Sequence, residues 1–181
     1  MCIRDSTHAI RVRSDHLHAS DIYPDLGYTL QNTTESAATG NRSLKVTANV
    51  MQGGENLYVY KKTYYGPEDF HDSRYDPSFS PVAYPGQTVH VSAMLPEYGN
   101  EILVSAYAKE RHTQNIYHGE KRALQKGRWE RLSFRIPQLD GGLIEEVGIC
   151  IHVKGNRGKG DTVVCLSLIH ISEPTRRSYI S

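Results

Sequence analysis

The sequence predicts an all-β protein, an antiparallel β-sandwich, on three observations. Between residues 43 and 154 apolar residues recur at every second position in segment after segment, which is the period of a half-buried strand and not of a helix. Clusters of Gly, Pro and Asn stand between those segments, where strand connections need tight turning or positive φ. No long amphipathic helical pattern interrupts them, and such short, evenly punctuated strands build sandwiches.

Taken in order, "THAIRVRSD" reads as a first strand and "GYTLQNT" as a second, and "GNRSLKV" opens a third. In "SLKVTANV" the residues Leu44, Val46, Ala48 and Val50 share one face. In "TVHVSAML" the inward set is Val89, Val91, Ala93 and Leu95, and in "EILVSAYAK" it is Ile102, Val104, Ala106 and Ala108. "WERLSFRI" supplies Leu132, Phe134 and Ile136; "EVGICIHV" supplies Val147, Ile149, Ile151 and Val153, whose neighbours Gly148, Cys150, His152 and Lys154 turn the other way. The breakers are "MQGG", "YPGQ", "YGN", "QKGR", "DGG" and "GNRGKG". The later part of residues 61–81, with three prolines and little alternation, reads as a long loop, a feature that usually has a structural or functional reason.

The "GNRSLKV" opening, "YPGQTVHVSAML", "GRWERLSFRIP" and "IEEVGICI" together resemble the galactose-binding-like jelly roll of many carbohydrate-binding modules. In that family a Gly-x-x-Ser-Leu strand, a Pro-Gly-Gln turn and a Gly-x-Trp strand recur in this order. The resemblance spans residues 43–164 and implies a jelly roll that binds glycan reversibly and catalyses nothing itself. It also implies a closing strand, which "GDTVV" begins. A narrower stretch, "YKKTYYGPEDFHDSRYDPSFSPVAYPGQTV", is similar to a segment of β-sandwich domains appended to some bacterial ADP-ribosylglycohydrolase-family proteins. That similarity implies an accessory domain of a larger bacterial enzyme, with its catalytic domain elsewhere. The expected partner is then a glycan or the catalytic domain of the same parent chain, in a cytoplasmic or a secreted protein.

Both ends differ in character from this body. "MCIRDS" and "CLSLIHISEPTR" resemble translated sequencing adapter of the kind attached to unrelated proteins in metagenomic assemblies. Such scars are set aside before fold reasoning: residues 1–6 and 165–181 are excluded, leaving a domain over residues 7–164 whose last strand is interrupted. Residues 165–181 are expected to pack poorly or to borrow the missing strand's place through Leu166, Leu168 and Ile169. Of the 21 basic and 20 acidic residues, Arg4, Arg176, Arg177, Asp5 and Glu173 leave, so 18 of each remain. A balance of zero predicts no general attraction to nucleic acid or to an anionic membrane. Cys150 is then the sole cysteine, and no internal disulfide is expected.

The faces opposite the core carry aromatics where an ordinary solvated face carries Lys, Glu, Ser and Thr. Tyr58, Tyr60 and Tyr64 alternate together with Lys62; Tyr107 stands with Ser105 and Lys109; Trp129 stands with Arg131, Ser133 and Arg135. Sugar rings stack their C–H faces on aromatics and exchange hydrogen bonds with charged and amide side chains. Tyr58, Tyr60 and Tyr107 are therefore the expected platforms, with Arg131 and Arg135 as polar contacts. The alternative for the tyrosines is cross-strand packing or burial beneath a loop. For Trp129 the family resemblance favours packing at the sandwich edge. The long loop offers Tyr65, Glu68, Asp69, Phe70, His71, Asp72, Arg74, Tyr75 and Asp76, as a recognition edge or as a lid packed through Phe70, Tyr75 and Phe79.

Metal and catalytic signals are weak. Asp69, Asp72 and Asp76 are hard oxygen donors suited to Ca²⁺, but their spacing departs from the EF-hand pattern, so a structural Ca²⁺ stays unassigned and no cofactor is expected. His16 and His18 share a strand face, which alone says little for zinc. No carboxylate pair is placed by sequence for glycoside hydrolysis. Gly-x-Ser-x-Gly and a Cys with a persuasive His partner are absent, and "GNRGKGDT" lacks the spacing and ending of a phosphate loop.

Overall fold

Residues whose side chains alternate between apolar and polar bury one face and solvate or cover the other, and the structure turns that pattern into two stacked sheets. It is a computed structural model that describes residues 10–14, 28–38, 40–48, 54–69, 82–152 and 162–172. Eleven strands occur among these residues: β1 (Arg11–Ser14), β2 (Tyr28–Thr33), β3 (Ser43–Ala48), β4 (Asn56–Lys62), β5 (Thr88–Met94), β6 (Leu103–Glu110), β7 (Ile116–His118), β8 (Arg122–Ala123), β9 (Trp129–Arg135), β10 (Ile144–His152) and β11 (Thr162–Ser172). One 3₁₀ turn, Pro67–Asp69, follows β4. No helix among the described residues is long and apolar enough to cross a membrane.

The six-stranded sheet runs β1-β4-β10-β6-β7, with β8 also beside β6; the five-stranded sheet runs β2-β3-β11-β5-β9. Every named pairing is antiparallel. The core between the sheets takes the inward sets expected from the alternation: Leu44, Val46 and Ala48 meet Val89, Val91 and Ala93 on one side and Val104, Ala106, Val147 and Ile149 on the other. Each fully buried aliphatic side chain contributes about 1.5–3 kcal/mol, so the pattern is under strong energetic selection.

Turn chemistry fixes the register at the start of β5. Gly86 has φ +83°, a conformation that costs glycine nothing and other residues strain. The Gln87 N–H donates to the Tyr84 carbonyl at 3.2 Å, and the Tyr84 N–H donates back to Gln87 Oε1 at 2.8 Å.

Two features depart from the expected layout, and a third follows the second of two expected courses. The β4 alternation stops at Lys62, so Tyr64 lies beyond the strand. The short strands β7 and β8 add an edge that no alternation signalled. β11 runs on past Val164: Cys165, Leu166 and Ser167 are buried, the strand pairs β3 through Leu166 and β5 through Ser172, and its register shifts between Ser167 and Ile169. Residues 165–172 thus sit where the closing strand of the sandwich belongs, in the middle of the five-stranded sheet. Residues 1–9 and 173–181 lie outside the described residues, as do the side chains of Leu168 and Ile169, and Val50 and Val153 of the expected strand faces.

Candidate functional site

Antiparallel register places the outward residues of the six-stranded sheet in rows. One row reads Arg11, Tyr60, Gly148, Tyr107, His118 across β1, β4, β10, β6 and β7. On one side of it lies Lys62, Glu146, Lys109, Ile116. On the other lies Arg13, Tyr58, Cys150, Ser105, followed by Asn56, His152 and Leu103. This face is therefore charged at one end, aromatic in its middle, and rich in imidazole and thiol at the other end.

The middle depends on a glycine. A Cβ at Gly148 would stand 2.1 Å from the Val59 carbonyl oxygen and 3.0 Å from Tyr60 Cβ, well inside contact distance. Its absence lets the rings from β4 and β6 close over β10. Tyr58 and Tyr107 meet edge-to-face, with ring centroids 5.0 Å apart, and the Arg13 guanidinium lies over the Tyr58 ring at 4.0 Å and near Tyr60 at 5.7 Å.

Glu146 organises the charged end. It is buried and accepts a hydrogen bond from the Tyr107 hydroxyl at 2.7 Å and from Arg13 Nε and Nη2 at 3.3 Å. Lys109 Nζ lies 3.3 Å from Glu146 and 3.3 Å from Glu145, and Arg111 pairs with Glu145 at 3.3 Å. A buried carboxylate is tolerable only with such company. Burial, reinforced by the Glu146 charge, pushes the Tyr107 phenol well above its ordinary value, so it remains a donor. Burial opposes the Arg13 cation, but Tyr107 and Glu146 outweigh it and raise its pKa.

Asp69 is committed in the same way. It pairs with Lys62, lies 3.6 Å from Arg11, and accepts the Gly66 N–H at 2.9 Å. Burial pushes its carboxyl up, yet Lys62, Gly66 and Arg11 together hold it below the usual range. Asp69 is thus engaged as the ion-pair partner of Lys62 and Arg11. Asp72, Asp76, His16, His18, Phe70, His71, Arg74, Tyr75 and Phe79 lie outside the described residues, as does the Glu68 side chain.

The five residues expected to contact sugar are not brought together. Tyr58 and Tyr107 are 3% and 0% exposed; they form the packed layer beneath Arg13 and cannot serve as open platforms. Tyr60 is half-buried. Arg131 and Arg135 are exposed on β9, the edge of the other sheet, so they face the opposite side of the sandwich. Arg135 Nε donates to the Gly86 carbonyl at 3.3 Å. Trp129 is half-buried on the same edge strand and donates its indole N–H to Ser36 Oγ at 2.9 Å. Tyr64 is covered by the Arg111 guanidinium at 4.5 Å, and the Tyr65 ring has Lys62 Nζ at 5.8 Å.

Sequence reasoning placed Lys109 beside Tyr107 and missed Arg13, Glu146 and His118 as members of the same face. The alternation of Arg11 and Arg13 about Val12 was the available signal for the first; the others needed the long-range register. At the far end of the face, one ligand atom each from His118, Cys150 and His152 lie within 4.8 Å of one another. Cys150 Sγ is 3.7 Å from His152 Nδ1, and the Ser105 hydroxyl stands 3.2 Å from His118 Nδ1 and 3.0 Å from His152 Nε2.

No family model matches the chain, and no curated protein matches it. Among solved structures it superposes on a module from work on the promiscuous specificity of carbohydrate-binding modules of the β-sandwich superfamily, with TM-score 0.63 and 14% identity, covering 93% of this chain and 58% of that one. This chain therefore spans a little over half of that longer one. It is also similar to the C-terminal family 22 carbohydrate-binding module of Clostridium thermocellum Xyn10B, in which residues of the cleft act in ligand binding: TM-score 0.56, 10% identity, 96% and 91% coverage. A third is the CBM22-1 xylan-binding domain of Paenibacillus barcinonensis Xyn10C, with TM-score 0.50, 14% identity, and 93% and 87% coverage. At such identities the likeness shows the fold, the antiparallel β-sandwich expected from the sequence.

Proposed function

We propose that this chain is a non-catalytic carbohydrate-binding module, an accessory domain of a larger bacterial enzyme, and that it holds a xylan-like glycan across the outer face of the six-stranded sheet. The observation that carries this reading is the half-buried Tyr60 ring, set beside the Arg13 and Lys109 cations over a layer already locked by Glu146 and Tyr107. A sugar ring stacks on Tyr60, and its hydroxyls accept from Arg13 and Lys109. Because Glu146 fixes those cations before the ligand arrives, little side-chain entropy is lost on binding. The fold supports the reading, since similar sandwiches bind xylan.

The test is a glycan array followed by calorimetric titration with xylohexaose. Tyr60→Ala is expected to weaken binding about tenfold or more, with an unchanged thermal midpoint showing that the domain is folded. Failure of the folded chain to bind any saccharide on the array overturns the proposal.

One observation favours a second reading, a structural domain docked on an ADP-ribosylglycohydrolase-like catalytic domain. Val82 and Tyr84 are each 57% exposed, and they belong to the stretch that resembles domains appended to such proteins. Docking predicts that Val82→Ser and Tyr84→Ser weaken association with the catalytic domain encoded beside this one and leave glycan titrations unaltered.

A further inference from the structure

We propose that His118, Cys150 and His152 form a binding site for a borderline divalent metal ion of the Zn²⁺ type. Two strands contribute: Cys150 and His152 sit two apart on β10 and so share its outward face, and His118 enters from β7. The three ligand atoms lie within 4.8 Å of one another, with Cys150 and His152 buried and His118 exposed. Tetrahedral zinc with Zn–N near 2.0 Å and Zn–S near 2.3 Å needs ligand atoms about 3.3–3.7 Å apart. The Cys150 Sγ to His152 Nδ1 separation of 3.7 Å already meets this, and His118, at the solvent edge, reaches the same spacing by side-chain rotation.

The surroundings match what a metal-bound imidazole requires. A ligating His donates its other ring N–H to an oxygen, which fixes the tautomer. Ser105 Oγ, 3.0 Å from His152 Nε2, is placed to accept that N–H, which leaves Nδ1 as the ligand. Asn56 Oδ1, 2.6 Å from the same Nδ1, accepts that N–H in the metal-free tautomer and turns aside when the metal takes the nitrogen. The thiol releases its proton to solvent as the metal–sulfur bond forms. Two imidazoles and a thiolate select a borderline ion over Ca²⁺ or Mg²⁺, which take oxygen donors. Three protein ligands beside an exposed edge make an open site. The proposal uses none of the glycan reading's residues, although Tyr60 shares a row with His118 and Arg13 shares one with Cys150.

The test uses the full chain, reduced and free of metal, titrated with Co²⁺ and separately with Zn²⁺. Co²⁺ is expected to bind one equivalent and to show a thiolate-to-cobalt charge-transfer band that disappears in Cys150→Ser and persists in Cys165→Ser. His118→Ala, at the exposed member of the three, is expected to bind Co²⁺ at least tenfold more weakly and to lose the rise in melting midpoint that Zn²⁺ gives the parent chain. A folded chain that binds Co²⁺ without the thiolate band, or whose Zn²⁺ response is unchanged in His118→Ala, overturns the proposal.

Discussion

The outer faces of the two sheets have similar sequence signatures and opposite fates. On the six-stranded sheet, aromatics and charges turned away from the core are buried again: Tyr107 is 0% exposed and Glu146 3%, locked by Arg13, Lys109 and each other. On the five-stranded sheet, Arg131, Ser133 and Arg135 stay exposed, and the contacts are light, His90 Nδ1 to Ser133 Oγ at 2.8 Å and His90 stacked on His170 at 6.1 Å. Alternation decides which way a side chain points. Whether a second layer forms there depends on partners from other strands, and among the described residues only the face of the six-stranded sheet has a buried carboxylate to gather them.

The largest break in that contrast is expected from Glu146→Ala. It strands the Arg13 charge in a desolvated layer and leaves Lys109 with Glu145 alone, and removing one partner of a buried pair costs about 3–5 kcal/mol, read by urea denaturation. Tyr107→Phe keeps the ring and deletes one hydrogen bond to a charged acceptor, a loss of about 1.5–3 kcal/mol. A cost for either variant no greater than for surface changes would dissolve the difference between the faces.

Acid titration separates the two sheets by pH. His90, on the five-stranded sheet, is pushed below its usual value by burial and then by Arg131 and His170. A depressed histidine contributes stability above about pH 6.5, and that share fades as pH falls below it. Burial raises the Glu110 carboxyl at the end of β6, but the Thr113 hydroxyl and the His112 and Thr113 amides outweigh it and hold the pKa at about 2. Its contribution is full above an unfolded value of about 4.3 and is lost as pH falls toward 2. Melting midpoints are expected to decline in two stages, with Glu110→Gln flattening the lower one. The smallest effect is expected from Arg131→Ala and Arg135→Ala, each within about 0.5 kcal/mol.

Much of the fold was legible because burial of a sandwich core enforces period two: the inward sets of β3, β5, β6 and β10 are those the alternation names. β7 and β8 were not, since Ile116–His118 and Arg122–Ala123 are too short to carry a period. Tyr58 and Tyr107 were visible as outward residues, but their burial was not, because the cover is Arg13 from a strand 45 residues before Tyr58 and Glu146 from one 39 residues after Tyr107. The same holds for the imidazole cluster. Cys150 and His152 could be seen to share a face; His118 reaches them only through the pairing of β6 with β7 and with β10. Arg131 and Arg135 were placed with the tyrosines because alternation marks a face as outward without saying which sheet it belongs to.

The central claim is that one face binds glycan and the other does not. Calorimetric titration of xylohexaose into the parent chain, Tyr60→Ala and the Arg131→Ala/Arg135→Ala double variant tests it most directly. The account predicts binding by the parent and the double variant with equal affinity and a loss of about tenfold or more in Tyr60→Ala. Binding that survives Tyr60→Ala and disappears in the double variant would contradict it.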